Sequence, residues 1–131
     1  MVLGLIRQLM AQKGLTIPIE IIVVNDGGKA GTIPFLQRMT EGSPLPIRFF
    51  DSMLSDTYGV ALCRNIGIKF ARFDRIVFLD DDVTVGETFL SHYAEAPDGL
   101  CMGRVESIAE RDEFVEEIPD ERGAVLLGRT R

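Results

Sequence analysis

Three consecutive aspartates, Asp80, Asp81 and Asp82, are the side chains in this sequence best suited to chemistry. Adjacent carboxylates repel one another, and a hard divalent cation or a cationic partner offsets that repulsion. The triplet follows residues 76–79, an uninterrupted apolar run typical of a parallel strand buried on both faces. In open α/β sheets the carboxyl ends of such strands border the ligand crevice. A solvated turn is the alternative, but the triplet lacks the Gly and Asn typical of turns, so we expect a metal site.

Two further polar residues are predicted to lie near the triplet. Asp26 follows the apolar run at residues 19–24 and belongs to an Asn-Asp-Gly-Gly turn, so it too would lie at the carboxyl end of a strand. Arg64 falls in the first turns of a predicted helix that opens at Gly59, where backbone N–H groups and the helix dipole favour an anion. Simple turn chemistry also accounts for Asp26, and Arg64 could instead pair with a neighbouring acid.

Together these residues predict a pocket for a nucleoside diphosphate bound through a divalent ion. Asp80 and Asp82 are expected to hold the metal, with Asp81 beside them. The metal and Arg64 would meet the phosphates, and Asp26 would accept a hydrogen bond from the base or ribose. The nucleotide-binding set is thus Asp26, Arg64, Asp80 and Asp81. Magnesium or manganese fits best, because both ions take carboxylate oxygens and share their remaining positions with phosphate.

The elements that must position this pocket alternate between strand and helix patterns. The predicted order is helix 1–13, strand 19–24, helix 32–39 (or from residue 34), strand 47–50, a helix opening at Gly59, strand 76–79, helix 87–96, strand 100–105 and strand 123–128. The buried side of the helix that opens at Gly59 is expected to comprise Ala61, Leu62, Ile66, Phe70 and Ala71. Apolar strands in this alternation predict an α/β fold with a mostly parallel sheet and helices on both faces.

Composition excludes several classes of function. The 131 residues suit one domain, and a net charge of −6 without a Lys/Arg-rich run argues against a nucleic-acid partner. His92 is the only histidine, which leaves zinc sites and Ser-His or Cys-His nucleophiles without support. Cys63 and Cys101 are expected to stay reduced. Neither a signal peptide nor a membrane span is recognisable, so a cytoplasmic chain is expected, with the inner membrane surface as the alternative.

The segments EIIVVNDGG at residues 20–28 and GVALCRNIGIKFARFDRIVFLDDDV at residues 59–83 resemble the donor half of family 2 glycosyltransferases, which have the GT-A fold. The aspartates at residues 80–82 match the DXD motif of that family. Arg64-Asn65-Ile66-Gly67 matches its helix start, and Asn25-Asp26-Gly27 matches its first acidic turn. The resemblance covers roughly residues 1–105, and this ordered set is more specific than a lone DXD motif.

The resemblance implies transfer of a sugar, with inversion, from a UDP- or GDP-linked donor to a hydroxyl of a saccharide or lipid-linked acceptor. Such hexosyltransferases serve cell-envelope polysaccharide biosynthesis, and their metal eases departure of the nucleoside diphosphate. The mechanism also needs a general base within hydrogen-bond reach of the attacking hydroxyl. The sequence identifies no residue for that role.

Two departures from the family pattern predict a partial domain, truncated at both ends. The usual first strand is missing, and only a divergent acidic tail at residues 106–131 follows a donor-binding core at residues 1–105. Loss of a central strand would leave two unpaired strand edges, which invites closure by direct pairing of the remaining strands, by another chain or by a swapped element. A homo-oligomer or strand-swapped dimer is therefore one expected outcome. A non-catalytic nucleotide-sugar-binding or interaction remnant is the alternative function. A receiver-like phospho-acceptor domain is a more remote one.

Overall fold

The computed structural model describes residues 2–54, 59–104 and 125–127. Its elements are α1 (Val2–Met10), β1 (Ile21–Asn25), α2 (Thr32–Met39), β2 (Ile47–Asp51), α3 (Val60–Phe70), α4 (Phe89–Glu95), β3 (Gly99–Cys101) and β4 (Val125–Leu127). The chain divides into two compact units, the first formed by Met1–Arg72 and Leu79–Ala96 and the second by Phe73–Phe78 and Pro97–Arg131. The expected division at residue 105 into a donor core and a tail stays a prediction.

The first unit contains the parallel pair of strands expected from the two apolar runs. β1 and β2 are in register from Ile21 opposite Ile47 to Asn25 opposite Asp51. The N–H of Ile21 also donates to the carbonyl of Pro46 at 2.8 Å, which begins the ladder one residue early. Because the strands are parallel, their carboxyl ends, and the polar residues that follow them, lie at one edge of the sheet.

The core of the first unit forms where α1 packs on β1. Leu5 and Leu9 on one face of α1 are buried with Ile21 of β1, as the helical spacing of apolar residues predicts. Other apolar side chains pack around this cluster: Met10, Val23, Leu45, Ile47, Leu79, Val83, Val85, Phe89 and Leu90. The helix is shorter than predicted and ends at Met10, with Gly14 at a φ of 69° in the following turn.

The predicted buried face of α3 is wrong. No residue of this helix is buried, and 40% or more of each of Val60, Leu62, Ile68 and Phe70 is exposed. The reason is geometric, since neighbouring strands lie about 5 Å apart whereas a helix with its side chains is about 10 Å wide. The two-stranded sheet described in this unit is too narrow to bury the apolar side of α3.

The predicted strand at residues 76–79 is also wrong within the described part of the chain. Residues 75–80 have no strand or helix assignment, and the sheet of the first unit consists of β1 and β2. An apolar run becomes a strand only when a neighbouring strand pairs with its backbone, so the run alone does not determine the outcome. The aspartate triplet therefore follows an irregular segment rather than a strand end.

The second unit contains a short antiparallel pair. β3 pairs with β4 from Gly99 opposite Leu127 to Cys101 opposite Val125. β3 begins one residue before the predicted strand 100–105 and ends at Cys101, whereas β4 lies inside the predicted range 123–128. Arg75 donates from Nη2 to Asp98 Oδ1 at 3.0 Å in the same unit. The acidic residues 106–122 lie outside the described residues. In the part of the chain that the structure describes, every helix is too short or too polar to cross a bilayer.

Candidate functional site

The rim of the parallel sheet brings together two polar residues that end β1 and β2. Asn25 donates from Nδ2 to Asp51 Oδ2 at 2.8 Å, and the backbone N–H of Met53 donates to Asp51 Oδ1 at 2.7 Å. The hydrogen bond from Asn25, with a smaller effect from Met53, lowers the pKa of the Asp51 carboxyl below its usual 3.8. A Cβ on Gly28 would collide with the Asn25 amide, so the turn needs glycine there. Sequence reasoning missed Asp51, although it follows the predicted strand 47–50.

Asp26 links the end of β1 to the start of α3. Its two carboxylate oxygens each accept from the backbone N–H of Gly59 at 2.9 Å. Gly59 directly precedes α3, where unpaired backbone N–H groups favour a negative charge. Asp26 is therefore more than a turn residue, because it connects the sheet rim to the helix that contains Arg64.

Cys63 lies in the first turn of α3, near Asp26 and Ser52. Burial raises the pKa of the Cys63 thiol above its ordinary value of 9.0, and the negative charge of Asp26 raises it further. Both Cys63 and Cys101 are free thiols, as expected. Because its pKa is raised, little of the Cys63 thiol is in the nucleophilic thiolate form.

Arg64 and Asp80, which the sequence predicts to share a site, are neighbours in the structure. Arg64 Nη2 lies 3.9 Å from Asp80 Oδ1, and the two side chains are 46% and 74% exposed. An ion pair this exposed contributes at most about 1 kcal/mol to stability. Its importance is positional, because it holds a guanidinium beside the first carboxylate of the triplet.

Asp80, Asp81 and Asp82 form an exposed turn in the first unit. The N–H of Val83 donates to the Asp80 carbonyl at 3.4 Å, which closes the turn. Residues on either side of it, Leu79 and Val83, pack against the buried core of α1 and β1. Among the described residues, no three His, Cys, Asp or Glu side chains are clustered closely enough to hold a metal ion.

The comparison with protein families decides what this arrangement belongs to. The family model described as Glycosyl transferase family 2 matches residues 1–119 of the 131 in the chain. The chain belongs to glycosyl transferase family 2. Searches of curated proteins and of solved structures found no match. The family match confirms the resemblance and the α/β, GT-A-like fold class, and glycosyl transfer is the general activity of the family.

Within this glycosyl transferase the predicted residues fall into two groups. Asp26 lies at the sheet rim and binds the residue that precedes α3. Arg64 lies in α3 and pairs with Asp80. Asp81 and Asp82 belong to the same exposed turn as Asp80. α3 thus connects the groups through backbone that the structure describes.

Proposed function

We propose that this chain binds a nucleotide-diphospho-sugar, linked to UDP or GDP, and transfers the sugar with inversion to a hydroxyl of a saccharide or lipid-linked acceptor. The observation that supports the proposal is the approach of Arg64 Nη2 to within 3.9 Å of Asp80 Oδ1 in a family 2 glycosyl transferase. A cation beside the first carboxylate of an aspartate triplet matches the two needs of a diphosphate, a guanidinium and a bridging metal.

The carboxylates of the triplet fit a divalent cation in their chemistry. Mg²⁺ and Mn²⁺ prefer oxygen ligands and retain positions for phosphate oxygens, and the triplet side chains are exposed. Asp80 and Asp82 would hold the ion, with Asp81 beside the donor. When bound, the cation supplies neutralisation of the charge that develops on the departing diphosphate.

Charge explains why the donor needs such an ion at this site. Two like unit charges about 4 Å apart repel by about 1 kcal/mol in water and about 4 kcal/mol at an effective dielectric constant of 20. Three carboxylates against a diphosphate multiply that cost, and Arg64 alone offsets only part of it. We therefore expect binding of the nucleoside diphosphate to depend strongly on the metal.

Asp26 retains capacity for the nucleoside. A carboxylate offers about four acceptor positions; the N–H of Gly59 occupies one direction on each of its oxygens, and the Cys63 side chain also hydrogen-bonds to Asp26. The remaining positions would accept from the base or the ribose. Arg64 would bind the diphosphate with its planar fork of donors, which matches phosphate geometry better than an ammonium group does.

Calorimetric titration of the purified chain with UDP and then GDP, with and without MnCl₂, tests donor binding. The wild-type chain should bind one of them in a metal-dependent manner, and Asp82→Ala should weaken that binding by at least about tenfold, since loss of even a metal ligand's supporting contacts costs this much. Asp74→Ala, which removes another exposed aspartate, is the matched control and should bind like wild type. Unchanged metal-dependent affinity in Asp82→Ala would contradict the metal role.

Turnover separates transfer from the alternative of a non-catalytic donor-binding module. Release of labelled sugar from UDP-glucose or GDP-mannose, to water or to an added saccharide, is expected of the transferase. Metal-dependent binding without any release would support the non-catalytic alternative.

The same proposal includes a role in cell-envelope polysaccharide synthesis, on the cytoplasmic side or at the inner membrane surface. It also includes assembly as a homo-oligomer or strand-swapped dimer.

A further inference from the structure

Two glutamine side chains near the end of α1 bind the backbone that follows the aspartate triplet. Gln8 Oε1 accepts from the N–H of Val85 at 2.9 Å, and Gln12 Oε1 accepts from the N–H of Leu90 at 2.8 Å. Gln12 also donates from Nε2 to the carbonyl of Gly86 at 2.6 Å. The Gln12 amide thus donates and accepts at once, as a neighbouring strand would, for a segment that pairs with no strand among the described residues.

Lys13, which follows Gln12 just beyond α1, makes further contacts with this segment. The N–H of Lys13 donates to the carbonyl of Glu87 at 2.7 Å, and Lys13 Nζ lies 2.6 Å from Glu87 Oε2. That ion pair is exposed on both sides, at 67% and 70%, so it contributes little. The half-buried Gln12 amide is the better candidate for holding the segment, because its Oε1 bond is partly shielded from water.

Apolar contacts anchor both sides of the triplet to the core that α1 forms with β1. Leu79, just before Asp80, and Val83, just after Asp82, pack with the cluster that contains Leu5 and Leu9 of α1. Three residues span at most about 11 Å when fully extended, so the positions of residues 80–82 are limited by their two anchored ends. The triplet itself is exposed, so its position depends on these anchored ends together with the Arg64–Asp80 ion pair.

We propose that Gln12 is a positioning residue for the metal and diphosphate site. By holding Gly86 and Leu90 against α1, it fixes the downstream end of the turn that presents Asp80 and Asp82. Gln12 does not touch the donor and acts through the backbone of residues 83–90. This inference rests on the proposed function, since it concerns the same metal-dependent donor site.

Gln12→Glu tests the proposal with a nearly isosteric change. The introduced carboxylate keeps an oxygen that can accept from the N–H of Leu90. Its second oxygen replaces the Nε2 group that donates to the Gly86 carbonyl in wild type. Ala11→Glu adds the same charge at the neighbouring exposed position and is the matched control. The hydrogen bond to the Gly86 carbonyl that this variant loses is exposed and contributes about 1 kcal/mol, so the Mn²⁺ concentration at half-saturation of UDP binding should rise about fivefold in Gln12→Glu. The control should match wild type.

Amide hydrogen exchange of the metal-free, ligand-free chain provides a readout independent of binding. Exchange across residues 79–90 should accelerate in Gln12→Glu, while exchange in β1 and β2 stays as in wild type. Equal acceleration in β1 and β2 would mean a general loss of stability and would overturn a positioning role. If Gln12→Glu does not fold, Gln12→Met, which has similar volume and no charge, is measured instead and should show the same shift.

The two proposals fail in different ways. A folded wild-type chain without metal-dependent binding of UDP or GDP overturns the proposed function, and the positioning role with it. Metal-dependent binding by wild type, with an unchanged Mn²⁺ half-saturation in the Gln12 variant, overturns the positioning role alone.

Discussion

Substitution of Glu20 should destabilise the first unit more than the loss of an ordinary surface charge. The Glu20 side chain is only 6% exposed, and its Oε2 accepts from Arg48 Nη1 at 3.1 Å. Its Oε1 accepts from the backbone N–H of Arg72 at 2.7 Å, just beyond α3. Arg48 in turn donates from Nη2 to the carbonyl of Phe70 at 2.7 Å, the last residue of α3. Glu20 therefore connects the start of β1 to the end of α3.

The size of the effect follows from how much of this network is buried. Breaking a buried ion pair from one side costs about 3–5 kcal/mol, whereas an exposed pair is worth about 0–1 kcal/mol. Arg48 is 22% exposed and keeps both the Phe70 carbonyl and its position 5.2 Å above the Phe50 ring, which reduces the penalty. For Glu20→Ala we expect a loss of about 2–3 kcal/mol in the free energy of unfolding. Glu20→Gln retains one acceptor oxygen and should lose about 1 kcal/mol.

Urea denaturation followed by circular dichroism measures these losses. With a slope of about 1–3 kcal/mol/M, Glu20→Ala should lower the urea midpoint by about 1–2 M. Glu41→Ala, which removes an exposed acid after α2, is the control and should stay within about 0.5 kcal/mol of wild type. A change in Glu20→Ala no larger than that of the control would refute the reasoning, because Glu20 would then behave as a surface charge despite its burial.

Two further predictions concern protons at the sheet rim. Because the pKa of Asp51 lies below 3.8, the stability that the ionised Asp51 gives the fold is present above pH 3.8 and is lost as the pH falls through the lowered value. Asn25→Ala removes the main hydrogen bond to this carboxylate and should raise its pKa, as measured by NMR titration of the carboxyl carbon. Because burial raises the pKa of Cys63 above 9.0, its contribution is present below pH 9.0 and is lost as the pH rises through the raised value. In the Cys101→Ser variant Cys63 is the single thiol, and iodoacetamide at about pH 8 should alkylate it more slowly in the folded chain than in urea. Equal rates would contradict a raised pKa of Cys63 in the folded chain.

Elements whose stability is local could be predicted from the sequence. β1, β2 and α2 lie close to the predicted positions because β-branched runs, Pro34 and the flanking glycines act over a few residues. The proximity of Arg64 and Asp80 was also predicted, although the prediction placed Asp80 at the end of a strand and the structure has an irregular segment there. The predicted helix at residues 87–96 forms with narrower bounds, as Phe89–Glu95.

Features that depend on a distant neighbour could not be predicted in this way. The run at residues 76–79 has the composition of a buried strand, but its conformation depends on which strand pairs with it. The apolar side of α3 likewise has the right periodicity for burial and no layer wide enough to provide it. Asp51 and Gln12 escaped notice because their hydrogen-bond partners come from other elements or, for Gln12, from a segment more than seventy residues away in the chain.

Polar contacts at its two ends explain how α3 can be positioned without a buried face. At its start the N–H of Gly59 donates to Asp26, and at its end Arg48 binds the Phe70 carbonyl while the Phe70 ring stacks on Phe50 at 4.4 Å. Arg64 lies between these two attachments, so the rim of the sheet sets where its guanidinium can go. Under the proposed function, Asp26 would act on the diphosphate site through α3 as well as on the nucleoside, and the two effects would be coupled because the carboxylate that accepts from the N–H of Gly59 would serve both.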